Sequence, residues 1–134
     1  MPRLNQERCV ACRRDSPSVT EQEILEFQPL IPEWTLKVED GVKKLERQFK
    51  FGDFPQAVAF TTVVADAAEE EAHHPKITTE WGKVTVEWWT HKIRNLHRND
   101  FIMAVKTDIM FGDFAKLHPM ESAIGQGHRR VGEP

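Results

Sequence analysis

Glu69–Asp100 reads EEEAHHPKITTEWGKVTVEWWTHKIRNLHRND, and the fold turns on it. Val84, Val86 and Trp88 alternate with Thr85, Glu87 and Trp89, the period of two that marks a half-buried strand. Lys76 to Trp81 forms its partner, and Gly82 supplies the turn between them. Upstream, a helical pattern halts at Pro75, so His73 and His74 stand at a helix exit. His91 ends the second strand, 18 positions after His73, and Asp100 comes nine later at the start of another helix. Imidazoles at a helix exit and at a strand end converge only if the chain between them doubles back. The hairpin over 76–88 does that.

Working outward, the same grammar repeats toward the N-terminus. Asp53 is placed to cap a helix, with Pro55 in its first turn. Phe54, Val58, Thr61, Ala65 and Ala68 recur at helical spacing, so that stripe is expected to face the core. Ala57, Ala65 and Ala68 would let the helix approach a sheet closely. Before it, Trp34 to Val38 alternates, Asp40-Gly41 gives a turn signal, and Leu45, Phe49 and Phe51 share a face with Arg47. Earlier still, Thr20 and Glu23 form a capping box, with Val19 and Ile24 as its hydrophobic staple. That short helix carries Ile24, Leu25 and Phe27 and ends near Pro29.

Downstream, Asp100 to about Phe111 reads as a third helix with Ile102, Val105 and Ile109 as its apolar stripe. The order is helix, two strands, helix, two strands, helix. It predicts an α+β fold: a four-stranded antiparallel sheet with three helices on one face. The domain is expected over residues 19–111, preceded by a flexible arm, 1–18, and followed by a mobile tail, 112–134. That tail bears Gly125, Gly127, Gly132, Pro119, Pro134 and the pair Arg129-Arg130.

Composition narrows the function classes. At 134 residues and 15.5 kDa, one domain with a modest core is expected. A net charge of -3 gives no basic footprint for nucleic acid. No apolar run approaches the length of a membrane span, and MPRLNQERCVACRRDS lacks the apolar middle of a secretory signal, so the cytoplasm is the expected compartment. Cys9 and Cys12 are spaced CxxC, but no second pair exists to complete a zinc site. His118 or His128 would complete one only if the tail folded back. The pair also sits in a polar, Arg-rich stretch rather than after a strand, which is the wrong setting for a redox motif. It is read as incidental to the chemistry.

Three glutamates, Glu69 to Glu71, crowd a helix C-terminus, where the dipole disfavours anions. They are either solvated charge or acids that raise the pKa of a neighbouring histidine.

Taken together, His-His-Pro at 73–75, the hairpin, Thr90-His91 and Leu96-x-x-x-Asp100 resemble pterin-4a-carbinolamine dehydratase. The likeness runs from about Leu25 to Met110 and includes Pro32-x-Trp34 and the Phe-x-Phe-x-Asp-Phe run from Phe49 to Phe54. The N-terminal arm with its CxxC resembles longer bacterial versions of that family. The resemblance implies a hydro-lyase that dehydrates 4a-hydroxytetrahydrobiopterin, or a related pterin, to quinonoid dihydropterin. It implies no cofactor and no metal, the pterin being the substrate, and a homodimer or homotetramer. It also implies a functional link to an aromatic amino acid hydroxylase, whose by-product is the substrate. In animals the family protein doubles as a dimerisation cofactor for a homeodomain transcription factor.

By the same resemblance, His73, His74 and His91 are the catalytic set. His73 and His91 do the acid/base work, and His74 contacts the pterin. Backbone around Ala72-His73-His74 and Trp89-Thr90-His91 would bind the flat ring. Asp100, Pro75 and Glu69 are supporting residues. The chemistry suits imidazole, which can give and take protons near neutral pH, an effect worth roughly 10² to 10⁴ in rate.

Two positions depart from the family pattern. Asn95-Leu96-His97 stands where Gly-Leu-Ser or Gly-Leu-Thr is usual, and a histidine caps a helix less well than a hydroxyl. Trp89 replaces a smaller residue beside Thr90-His91. Trp89 is read as a pterin stack or a subunit contact, Asp100 as an orienting carboxylate or a helix N-terminal acid. These departures keep open a divergent, non-catalytic paralogue that serves as a protein-binding module. A metal site of three histidines with Glu69 or Glu71 is a third, weaker reading, because adjacent histidines seldom point the same way.

Overall fold

The computed structural model describes residues 4–10 and 13–118. Helix α1 spans Glu21–Phe27, strands β1 and β2 Thr35–Glu39 and Val42–Lys50, helix α2 Phe54–Glu71, strands β3 and β4 Lys76–Glu80 and Lys83–Trp88, and helix α3 Arg98–Leu117. The strands form one antiparallel sheet in the order β1-β2-β4-β3, the expected α+β arrangement. Asp40 and Gly41 both take positive φ, 52° and 78°, as a two-residue hairpin turn of the primed type requires.

The register explains where the core sits. Leu45 faces Trp88, Arg47 faces Val86 and Phe49 faces Val84, so these residues share the sheet face that α2 and α3 cover. Phe49 and Phe51 meet Phe60 of α2 at 5.1 and 5.2 Å between ring centroids, and Phe111 of α3 closes the cluster on Phe49 at 5.0 Å. From α1, Phe27 reaches Phe101 at 5.2 Å. Arg47 interrupts this apolar face and is matched from α3: its Nη1 lies 2.6 Å from Asp108 Oδ1, which also accepts from Trp34 Nε1 at 2.8 Å. Burial nonetheless pushes the Asp108 carboxyl upward, against those two bonds.

The opposite face carries charge. Lys37 Nζ sits 2.9 Å from both Glu46 and Glu87, and Glu87, followed by Glu46, holds the ammonium well above its ordinary range.

Three sequence expectations shift. On α2 the buried stripe is Ala57, Phe60, Val64 and Ala68, while Phe54 and Val58 are exposed and Ala65 points outward. Spacing alone fixes the period of an amphipathic helix but not its phase: of the expected stripe only Ala68 is fully buried, joined by Ala57, one of the small residues expected to approach the sheet. Helix α3 runs to Leu117, six residues past the expected end at Phe111, and buries Phe114; Ile109 is exposed. Residues 4–10, within the stretch read as a flexible arm, pack on the domain, with Leu4 only 1% exposed. Cys12, His128 and the tail expectation for residues 119–134 lie outside the described residues. Among the described residues no helix is long and apolar enough to cross a membrane.

Candidate active site

The site forms where α2 ends, β3 begins, β4 ends and α3 starts. Helix α2 stops at Glu71, and Ala72 turns into the left-handed region at φ 54°. The His73 N–H then donates to Ala68 O at 3.1 Å, the wrap that closes a helix C-terminus. This reversal swings the His73 ring inward. The pairing of Lys76 with Glu87 sets His73–Pro75 and Trp89–His91 at the same end of the hairpin.

His73 is buried, its ring parallel to Trp88 at 5.7 Å and 5°. Its Nε2 lies 2.6 Å from Asp100 Oδ1, and Asp100 is 0% exposed. The second oxygen of Asp100 accepts from the Thr90 hydroxyl at 2.8 Å and from the His97 N–H at 2.9 Å. All three neighbours can donate, which suits a carboxylate acceptor. With Nε2 committed to Asp100, the ring nitrogen left to His73 is Nδ1. Trp88 is anchored in turn through Nε1 to the Thr107 hydroxyl at 3.1 Å.

The other two predicted histidines are exposed. His74 Nε2 is 2.9 Å from Glu69 Oε1. His91 stacks on Trp89 at 4.4 Å and 14°, and Lys44 Nζ lies 4.0 Å from the centroid of that indole. Among the described residues, no hydrogen bond or ring contact joins His91 to His73 or His74. Nor do three or more His, Cys, Asp or Glu side chains gather into a metal-holding group among them.

The glutamate cluster divides three ways. Glu69 meets His74, Glu70 is exposed, and Glu71 binds Arg8 Nε at 2.6 Å and the Cys9 N–H at 2.9 Å. Burial raises the Glu71 carboxyl, but Cys9 and Arg8 together outweigh it and hold the group below its usual range.

His97 does cap α3. Its Nδ1 accepts from the Asn99 N–H at 3.0 Å, while Asp100 accepts from the His97 N–H, so a reciprocal box forms although a histidine is expected to cap less well than a hydroxyl. An acceptor Nδ1 demands a neutral ring, and burial lowers the pKa of His97 accordingly. The Thr90 hydroxyl was foreseen only as part of a pterin-contacting backbone; its bond to Asp100 has no local sequence signal.

The fold and this end of the sheet define a class: a small α+β domain that holds a buried imidazole–carboxylate pair, with two exposed histidines at the same end of the sheet. The description of pterin 4 alpha carbinolamine dehydratase matches residues 17–110, and the chain belongs to that family. Among solved structures, it is similar to a transcriptional coactivator/pterin dehydratase from Brucella melitensis, 31% identical with a TM-score of 0.64. That match covers 72% of this chain and all of the Brucella one, 100%. A pterin dehydratase-like protein identified as a RuBisCO assembly factor in the alpha-carboxysome is 22% identical. It has a TM-score of 0.51 over 60% of this chain and 90% of its own, a likeness of fold alone.

Proposed function

We propose that this protein dehydrates a pterin 4a-carbinolamine, 4a-hydroxytetrahydrobiopterin or a close relative, by histidine acid/base catalysis. The observation that carries the reading is the buried His73–Asp100 pair, with Thr90 on the same carboxylate and two exposed imidazoles at the same sheet end. In the reaction, one imidazole protonates the C4a hydroxyl, which leaves as water. A second takes the N5 proton, and the electrons of that N–H bond form the C4a=N5 double bond of quinonoid dihydropterin. Proton transfer alone completes the step.

His73 and His91 take the acid/base roles in this proposal, and His74 contacts the pterin. Asp100 orients His73, as carboxylates orient catalytic imidazoles elsewhere. Ala72, Trp89 and Thr90 line the bound ring, while Glu69 steadies His74 and Pro75 stiffens the loop. Substrate would come from an aromatic amino acid hydroxylase, and a homodimer or homotetramer is the proposed assembly.

The test adds purified protein to a phenylalanine hydroxylase reaction and follows the 4a-carbinolamine absorbance. Accelerated decay is expected, with His73→Ala and His91→Ala each at least about ten-fold slower. Unchanged decay at micromolar protein overturns the reading.

A second reading, a divergent paralogue that acts as a protein-binding module, draws on the indole of Trp89, which covers one side of His91. Inactive protein that still recovers a defined partner in pull-downs, independently of His73, is the outcome that favours it.

A further inference from the structure

We infer that residues 4–10 act as a strap that holds His73 against Asp100, with Glu71 and Asn99 as positioning residues. The inference deepens the proposed function and rests on it for its catalytic consequence alone.

His73 and Asp100 belong to different elements, 27 residues apart, and each sits at a helix end. Helix ends are the first parts of a helix to open. The C-terminus of α2 carries a further cost: Ala72, which is not glycine, is held at φ 54°, in the left-handed region that a Cβ disfavours. From the sheet, Trp88 stacks on His73 and Thr90 binds Asp100, and the N-terminal residues add a direct tie between the two helix ends. The strap bridges them.

Its contacts run through consecutive residues. Glu7 forks onto Arg98, Oε1 to Nε at 2.8 Å and Oε2 to Nη2 at 2.6 Å. The next residue, Arg8, binds Glu71 at 2.6 Å, and the Cys9 N–H binds the same carboxylate at 2.9 Å. Val10 then pairs with the Asn99 amide as it would with a strand neighbour. Its N–H donates to Oδ1 at 3.1 Å and its C=O accepts from Nδ2 at 2.8 Å. Leu4, 1% exposed, anchors the segment in the core beside α3.

The partners run α3, α2, α2, α3. Arg98 and Asn99 immediately precede Asp100, and Glu71 stands two residues before His73. Four strap residues therefore tie together the two backbone segments that set the His73–Asp100 distance.

Glu71 explains how the strap is retained. A carboxylate in the last turn of a helix opposes the helix dipole, and its side chain here is only 5% exposed. Donors from the strap offset both costs, so the carboxylate and the strap stabilise one another. A side chain recruited only for solubility would not be buried there.

The test compares the full chain with Glu71→Gln, Asn99→Ala and Arg8→Ala. The His73 ring nitrogens are read by long-range ¹H–¹⁵N correlation, and dehydratase kinetics are measured alongside. Broadened or shifted His73 resonances are expected in all three. So is a fall in kcat of roughly ten-fold for Glu71→Gln and Asn99→Ala, with KM within about two-fold, as misplaced groups produce. Arg8, 67% exposed, gives a variant that keeps the fold if the other two do not. Folded variants whose His73 resonances and kcat match those of the parent overturn the inference. Should the parent itself lack dehydratase activity, the functional reading fails while the nitrogen spectra still decide the strap.

Discussion

Asp100 Oδ1 and His73 Nε2 lie 2.6 Å apart inside the protein, joining the first turn of α3 to the loop after α2. Replacing this carboxylate by an amide tests what the pair does. Asp100→Asn offers one acceptor oxygen where three donors converge and turns an N–H₂ toward at least one of them. A loss of stability of about 2–3 kcal/mol is expected, read from the urea midpoint. Dehydratase kcat should fall at least about ten-fold even at temperatures where the variant is folded.

His97 makes stability depend on pH in a definite direction. Burial lowers its folded pKa below that of the unfolded chain, so between the two values the unfolded state binds more protons. Stability is therefore fully present above the unfolded value of about 6.5 and is lost as pH falls toward the folded one. Protonation at Nδ1 would also remove the acceptor for the Asn99 N–H. His97→Ser caps without titrating in this range. Urea midpoints measured from pH 7.5 to 5 should fall less steeply for the variant than for the parent. Parallel curves would refute the assignment.

Two glycines separate backbone strain from contact. Gly41 and Gly82 have positive φ, 78° and 71°. A Cβ at Gly41 meets nothing within 4 Å, whereas one at Gly82 lies 3.2 Å from Phe51 O, the neighbour whose N–H already donates to Gly82 O at 2.8 Å. Both alanine variants should lose about 1–2 kcal/mol from strain. Gly82→Ala should lose more than Gly41→Ala, by up to about 1 kcal/mol, in chemical denaturation.

Asp108 is the counterpart of a cation on the core face of the sheet. Asp108→Ala strands Arg47 and the Trp34 indole N–H, at an expected cost of about 2–4 kcal/mol. Removing both charges together, as Arg47→Met with Asp108→Leu, should recover the share of that loss due to Arg47, while the Trp34 N–H stays without its acceptor. A double variant as unstable as the sum of its parts would show that the pair contributes more than mutual compensation.

Local chemistry made several elements legible beforehand. The Thr20–Glu23 box, the Asp53 cap and the Asp40-Gly41 turn each involve residues close in sequence and stand as expected; Val84, Val86 and Trp88 are buried as expected, but Thr85 and Glu87 on the other face are buried too. The rotation of α2 was not legible, because Phe54 and Val58 offer as good a stripe as Phe60 and Val64 until the sheet beneath chooses. The length of α3 was missed because Phe114 gains its apolar partners from Phe51 and Phe60, distant along the chain.

By itself the sequence determined the order of elements, the hairpins and the candidate histidines, since caps, turns and strand periods act within a few residues. Only the tertiary structure decided how those histidines differ. One is buried on Asp100 and Trp88, one is paired with Glu69, and one is stacked on Trp89. The same holds for the N-terminal residues, whose ties to Glu71, Arg98 and Asn99 span 62 to 91 positions. Contacts of that reach depend on how packed helices and strands bring distant backbone together, and no local pattern of residue types encodes that distance.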